Sequence, residues 1–257
     1  MTEPHRDEAL HARRARSFGA TARAYAENRP DYAVDAIRWG LEGAGREVTA
    51  ALDLAAGTGK LTAGLVALGL NVTAVEPDPE MLAELRRLLP KVPAMTGTAE
   101  AVPLPDASTD AVFVGQAFHW FDKVRALAEI GRVLRPGGVL VALWNQDDSS
   151  VPWVVEFSRS MRTSASLSGT SNDEPLPVHD LFDAFEESPR FAHSHRRTAD
   201  SLVATFSTHS HMLVAPEEER LAKQRTARAF LAANPETESG EFLWPLVTEA
   251  FRARRRE

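Results

Sequence analysis

Asp53, Gly57, Gly59 and Glu76 are the residues whose types and spacing first point to chemistry. They stand in the run Ala51-Leu52-Asp53-Leu54-Ala55-Ala56-Gly57-Thr58-Gly59-Lys60 and at the end of a second apolar run. An apolar strand passing through an acid into a glycine turn, followed by a second strand tipped with an acid, is the pattern of a nucleoside-binding βαβ unit. Gly57 and Gly59 allow a sharp turn and a close ligand approach that a Cβ would block. Glu76 would accept both hydroxyls of a ribose, so the ligand carries no 2′-phosphate. A P-loop would need a glycine in place of Leu54 and a Ser or Thr in place of Leu61. The dinucleotide fingerprint wants a third glycine where Thr62 stands, which makes NAD the weaker reading. S-adenosylmethionine has the ribose and adenine but no phosphate, and it fits best.

The elements that must hold these residues alternate strictly. Short aliphatic runs bounded by Gly, Pro, Asn or Asp predict strands at about 48–54, 71–76, 92–96, 110–115 and 139–145. Between them, Leu61, Leu65 and Leu68, then Met81, Leu82, Leu85, Leu88 and Leu89, then Val124, Leu127, Ile130 and Leu134 are spaced for one buried helix face each. Arg135-Pro136-Gly137-Gly138 is expected to stop a helix and start a strand. Strict β-α alternation implies a parallel, doubly wound α/β sheet that binds ligands at the carboxyl ends of its strands.

The rhythm breaks from 146 to 188, where a Ser-rich stretch and Asn172-Asp173-Glu174-Pro175 read as an insertion with partly mobile loops. Beyond it a strand is expected from Arg190 to Arg197, helices at 199–211 and 216–233, and a last strand at 241–253. The whole is expected to be one domain over 1–257. Its 257 residues, 44% hydrophobic, are enough for a full core. The net charge of −7 argues against a nucleic-acid substrate, and the Arg252-Ala253-Arg254-Arg255-Arg256 tail reads as a solvated chain end. With no cysteine there is neither a disulfide nor a thiolate metal cluster. The first eighteen residues lack the apolar core of a signal peptide and no apolar run reaches membrane-spanning length, so a cytoplasmic protein is expected.

The chain resembles the class I S-adenosylmethionine-dependent methyltransferases, in particular the small-molecule branch containing ubiquinone/menaquinone and trans-aconitate methyltransferase-like enzymes. The resemblance covers about residues 17–146. It rests on Phe18-Gly19-Ala20-Thr21-Ala22-Arg23-Ala24-Tyr25 with Arg29-Pro30, on Leu52 to Gly59, on Val75-Glu76-Pro77-Asp78, on Gly97-Thr98-Ala99-Glu100, on Gln116-Ala117-Phe118-His119-Trp120 and on Val133 to Gly138. It implies a Rossmann-like, seven-stranded sheet with an antiparallel last strand and a lid insertion at 146–188. It further implies Gly57 and Gly59 beside the methionine part, with Asp53 in the same motif, Glu76 and Pro77 at the ribose, the Gly97–Glu100 turn (Thr98, Ala99, Glu100) along adenine, and Gln116 and Ala117 on the sulfonium side. Ala55 replaces the family's first glycine, and Thr98 stands where many relatives carry an Asp that accepts the adenine amino group. Phe18, Tyr25 and Arg29 lie on a segment, 17–30, that in similar enzymes caps the cofactor. Arg29 would pair bidentately with the methionine carboxylate, the alternative being a surface Arg beside a core Tyr.

Methyl transfer asks the protein to align the nucleophile, exclude water and remove a proton where there is one. His119, just after the fourth strand, is the candidate base; the alternative is a histidine that only hydrogen-bonds a loop. Trp120, Trp144, Trp153 and His209 are candidate substrate contacts, with pocket wall or core as the other role for the tryptophans. His193 with His195 and His209 with His211 are pairs that face one pocket or bind a metal; lacking a carboxylate at ligand spacing, no metal is expected. The implied partner is a small-molecule acceptor, without nucleic acid or membrane, for a monomer or homodimer. The remaining alternatives are an NAD-dependent oxidoreductase and a cofactor-fold protein with a binding or non-methylating role.

Overall fold

The computed structural model describes residues 19–166 and 177–257. In chain order its elements are α1 (Ala22–Asn28), α2 (Val34–Glu42), β1 (Ala50–Leu54), α3 (Lys60–Ala67), β2 (Asn71–Val75), α4 (Pro79–Leu88), β3 (Ala94–Met95), β4 (Thr109–Gly115), α5 (Lys123–Val133) and β5 (Leu134–Asp147). There follow α6 (Pro152–Ser160), β6 (Glu186–Glu187), β7 (Phe191–Thr198), α7 (Ala199–Ser207), α8 (Ser210–Leu213), α9 (Glu217–Ala233) and β8 (Glu241–Arg254). None of the described helices is long and apolar enough to cross a membrane. The described residues divide into two compact units, one of 31–145, 177–191 and 248–257, the other of 19–30, 146–166 and 192–247. The second unit draws on three stretches of chain.

In the first unit β1 pairs in parallel with β2 and β4, β2 with β3, and β4 with β5. The sheet order is β3-β2-β1-β4-β5-β8-β6, with β7 also on β8. β8 runs against β5, since Arg255 N–H donates to Gly138 O at one end and Asp148 N–H to Pro245 O at the other. It also runs against β6. The expected antiparallel strand is therefore present. The described residues give eight strands rather than seven, because two-residue β6 and longer β7 both pair with β8.

Period-2 alternation sends side chains to two covered faces. Leu52, Leu54, Val112, Val114, Leu140 and Ala142 meet Ala126, Leu127, Ile130 and Val133 of α5. Ala51, Ala111, Phe113, Val139, Val141 and Leu143 meet Ile37 of α2 and Leu61 and Leu65 of α3. Local chemistry places the helices. Asp78 caps α4 by accepting from Glu80 and Met81 N–H, with Pro79 in the first turn, and Asp122 accepts from Arg125 N–H to start α5.

Two expectations change here. Strand β5 begins at Leu134, so the Pro136-Gly137-Gly138 turn is an irregularity inside the strand rather than its approach. A Cβ on Gly138 would come within 2.7 Å of Asp110 O and 2.8 Å of Arg135 O, so the turn admits only glycine. The arginine tail, in turn, is not a free chain end. Arg252 stacks on Trp39 at 4.0 Å and pairs with Glu186, Arg254 donates to Gly43 O, and Arg256 pairs with Asp183.

The second unit has its own core. Trp153, Val154, Phe157 and Met161 pack with Leu202, Val203 and Phe206 of α7, Met212 of α8, Leu231 of α9, and Phe242, Trp244 and Leu246 of β8. Phe157 meets Phe206 edge-on at 4.9 Å and Trp153 meets Phe242 at 5.7 Å. Part of the stretch read as mobile loop is thus a helix with a buried apolar face; residues 167–176 lie outside the described ones. Thr198 and Ser201 form a reciprocal capping box that starts α7.

Candidate functional site

At the carboxyl end of β1 the backbone turns left-handed three times in five residues, at Ala55 (φ 57°), Gly57 (φ 57°) and Gly59 (φ 89°). The turn closes through Gly59 N–H to Ala56 O at 2.9 Å and hangs on β2 through Ala56 N–H to Val75 O at 3.1 Å. The two glycines serve different ends. A Cβ on Gly59 would press Leu89 at 3.0 Å and Leu85 at 3.1 Å, so that glycine makes room for α4. A Cβ on Gly57 would meet nothing within 4 Å, so that side of the turn is open.

Glu76, at the tip of β2, lies beside this opening. Its carboxylate accepts from Gly57 N–H at 2.8 Å and from Asp78 N–H at 2.9 Å, which aims it without using all its lone pairs. Burial raises its affinity for a proton, and the two N–H donors oppose that. Pro77 is exposed next to it.

Asp53 faces the side of the sheet that α3 covers, and Thr62, in the first turn of α3, donates its hydroxyl to Oδ2 at 2.5 Å. Oδ1 finds no partner among the described residues, nor does the buried Thr58 hydroxyl. Burial, with the Glu76 charge adding to it against the Thr62 bond, pushes the Asp53 carboxyl up to about 7. Thr62 therefore occupies the third-glycine position for a reason: its hydroxyl satisfies a core acid where a dinucleotide fold has a glycine for close helix–strand packing.

Beyond β3, Ala101 N–H donates to Thr98 O at 3.2 Å and closes the Gly97–Glu100 turn, in which Ala99 is buried. Glu100 accepts from Asp122 N–H at 3.0 Å, so its carboxylate serves the start of α5. After β4, Gln116 is left-handed (φ 57°), its N–H donating to Leu143 O and its amide to Asn145 O, each at 2.8 Å. Ala117 leads into a single 3₁₀ turn, Phe118–Trp120, which carries His119 half-buried with its ring 4.4 Å from Trp120.

The first unit thus brings together Asp53, Ala55, Gly57, Gly59, Glu76, Pro77, Thr98, Ala99, Gln116, Ala117, His119 and Trp120 at the carboxyl ends of β1 to β4. Trp144 belongs to this unit's core, 5.7 Å from Phe251 and edge-on, with its indole N–H lacking a partner among the described residues. Other candidates lie in the second unit. Trp153 is core there, and His209 stacks on Phe206 at 4.7 Å. Arg29 donates to the Thr208 hydroxyl at 2.9 Å and to Thr208 O at 3.1 Å, with its guanidinium 4.9 Å from the Tyr25 ring. Phe18 lies outside the described residues. His193 and His195, like His209 and His211, stand ring to ring at 5.7 Å. Among the described residues no three His, Asp or Glu gather as metal ligands.

One residue at the site escaped the sequence reading. Tyr32 lays its phenol against Gly115 at the carboxyl end of β4; a Cβ there would sit 2.4 Å from its oxygen. The available signal was Gly115 itself, a glycine closing the apolar run 111–114.

The cradle fits a nucleoside without phosphates: an open glycine face, a strand-tip carboxylate, and buried polar atoms on Asp53 and Thr58 still holding bonding capacity. A family profile described as a methyltransferase domain matches residues 52–142. An uncharacterized methyltransferase of Mycobacterium tuberculosis is 40% identical over 98% of this chain and 99% of its own length. A malonyl-[acyl-carrier protein] O-methyltransferase of Pectobacterium atrosepticum is 33% identical over 52% of this chain and 50% of its own. A solved structure from Anaeromyxobacter dehalogenans, provisionally assigned as a type II methyltransferase, superposes with a TM-score of 0.63 at 29% identity, covering 89% of this chain and 97% of that one.

Proposed function

The chain belongs to the class I S-adenosylmethionine-dependent methyltransferases, and from that premise we propose that it methylates a small organic acceptor, with Glu76 holding the donor's ribose and His119 serving the acceptor. The observation that carries the reading is the Glu76 carboxylate fixed by two backbone N–H groups beside the open face of Gly57. When bound, the cofactor supplies a methyl carbon already activated by its sulfonium.

The protein's part is placement. Gly57 lets the backbone approach the donor, and the Thr98–Ala99 turn is assigned to adenine on the strength of the resemblance. Gln116 and Ala117 set the 3₁₀ turn that carries His119. His119 takes the acceptor's proton where the nucleophile is an oxygen or a protonated nitrogen, and orients the acceptor where it is not.

A small acceptor is supported by the net charge of −7, which disfavours a polyanion. The malonyl-[acyl-carrier protein] enzyme shares only half of this chain, so its acceptor does not transfer by likeness alone. The same reading has the protein act in the cytoplasm, as a monomer or homodimer. Calorimetry with S-adenosylmethionine, and with NAD as control, tests the donor. Incubation with a panel of oxygen, nitrogen and carbon nucleophiles, read by mass spectrometry, then tests for a product heavier by one CH₂. Donor binding with no methylated product from any class would reject the enzymatic reading in favour of a binding role.

A further inference from the structure

We propose that Tyr32 is the residue that separates the charged donor from its neutral product, its phenol oxygen and ring facing the positive sulfur at the carboxyl end of β4. The placement of Tyr32 is built rather than incidental. On one side Asp31 is fixed by Asn145 Nδ2 donating to its carbonyl at 2.9 Å and by Lys60 pairing with its carboxylate at 3.3 Å. On the other, Ala33 N–H donates to the Thr248 hydroxyl at 3.0 Å, and that hydroxyl donates to Asn145 Oδ1 at 2.6 Å. Asn145 O also accepts from Gln116 Nε2 at 2.8 Å. One asparagine therefore ties the segment carrying Tyr32 to the left-handed residue after β4.

Gly115 completes the arrangement. A Cβ there would stand 2.4 Å from the phenol oxygen, 2.9 Å from Cζ and 3.2 Å from Leu61 Cδ2, so the strand ends on glycine to admit the ring.

The topology says which part of a ligand meets it. From β1 the chain goes to β2 and β3 on one side and to β4 and β5 on the other, so the binding crevice opens at the carboxyl ends of β1 and β4. With the ribose on Glu76 at the tip of β2 and adenine toward the Thr98–Ala99 turn after β3, as proposed above, the sulfur, one carbon beyond the sugar ring, would lie on the side of β1 and β4. Phenol lone pairs and an aromatic face attract a cation. The thioether product has lost that charge together with the methyl group, and the attraction with it. Tyr32 thereby favours donor entry and product exit. The inference rests on Glu76 holding the ribose.

The test is calorimetry with S-adenosylmethionine and S-adenosylhomocysteine on wild type, Tyr32→Phe and Glu76→Ala, with melting temperature recorded for each. Tyr32→Phe keeps the ring and its packing. It should weaken the charged ligand by about fivefold and the neutral one by less than about twofold. Glu76→Ala should weaken both alike, because both carry the same ribose. Equal losses for the two ligands in Tyr32→Phe, or no loss for either, would overturn the role of Tyr32. Unchanged affinities in Glu76→Ala would overturn the ribose placement, a separate result.

Discussion

Ala55 and Gln116 are the two non-glycine residues that the site holds in left-handed backbone, each just beyond the end of a parallel strand. Such strain persists where the surroundings over-determine it, and it gathers at functional sites. Gln116 is held by bonds from both its backbone and its amide, whereas Ala55 carries a bare methyl at a cost of about 1–2 kcal/mol. Ala55→Gly should therefore raise stability by about 0.5–1 kcal/mol, net of the freedom glycine adds to the unfolded chain, as a higher urea midpoint would show. His119 calls for a different experiment. His119→Asn should cut turnover by about 10²–10⁴-fold while donor affinity and melting temperature hold, if the imidazole moves a proton. Persistent turnover would mean that alignment and water exclusion carry the reaction alone. The glycine turn after β1 and the acid at the tip of β2 were legible in sequence because a left-handed turn and a polar strand tip each favour particular residue types. Tyr32 was not, since its role comes from the space left by Gly115, far away in the chain.

At the level of elements, β5 carries the sharpest constraint. The extra residues around Gly137 and Gly138 shift the register against β4 between Thr109 and Ala111, and the backbone there closes on Asp110 O. Gly138→Ala should cost about 1–3 kcal/mol, because the methyl would meet two carbonyl oxygens that cannot rotate away. Equilibrium denaturation measures it, and a loss below about 0.5 kcal/mol would show that β5 yields. The parallel strands and α3 to α5 were readable because their periodicity is local. Helix α6 was hidden: Trp153, Val154 and Phe157 sit among serines and acquire an evident apolar face only against α7, α9 and β8. The arginines at 252, 254 and 256 read as tail for the same reason, since Trp39, Gly43 and Asp183 that receive them are distant in sequence.

Over the whole molecule, the buried carboxylates predict an asymmetric response to pH. Asp53 is raised to about 7, chiefly by burial, and Asp147 to about 6, again by burial, against bonds from the Ser158 hydroxyl and the Trp244 indole. An acid whose folded-state pKa is raised binds more protons folded than unfolded. Its contribution is full below about pH 4 and lost as pH rises through 6 to 7. Asp110 behaves oppositely: burial would raise it, but N–H groups of Ala50 and Thr49 and the Arg135 guanidinium outweigh burial and hold it at about 2. Its contribution is present above about pH 4 and lost toward pH 2. Melting temperature should thus climb as pH falls from 8 to about 5 and drop steeply below 4. Asp53→Asn should flatten the first limb and Asp110→Asn the second. A profile flat from 5 to 8 in the wild type would contradict the buried-acid account.

The place of β8 in the sheet has a kinetic consequence. It lies between β5 and β6 although both precede it in the chain, and it joins β5 across roughly a hundred residues. Parallel pairing from β3 to β5 can proceed as the chain emerges, but the edge of β5 stays exposed until residues 241–254 arrive. Contacts of such separation form slowly because loop closure precedes any gain from pairing. Until then the nascent protein carries an open strand edge, with the glycine turn after β1 already formed and its sheet still unsealed.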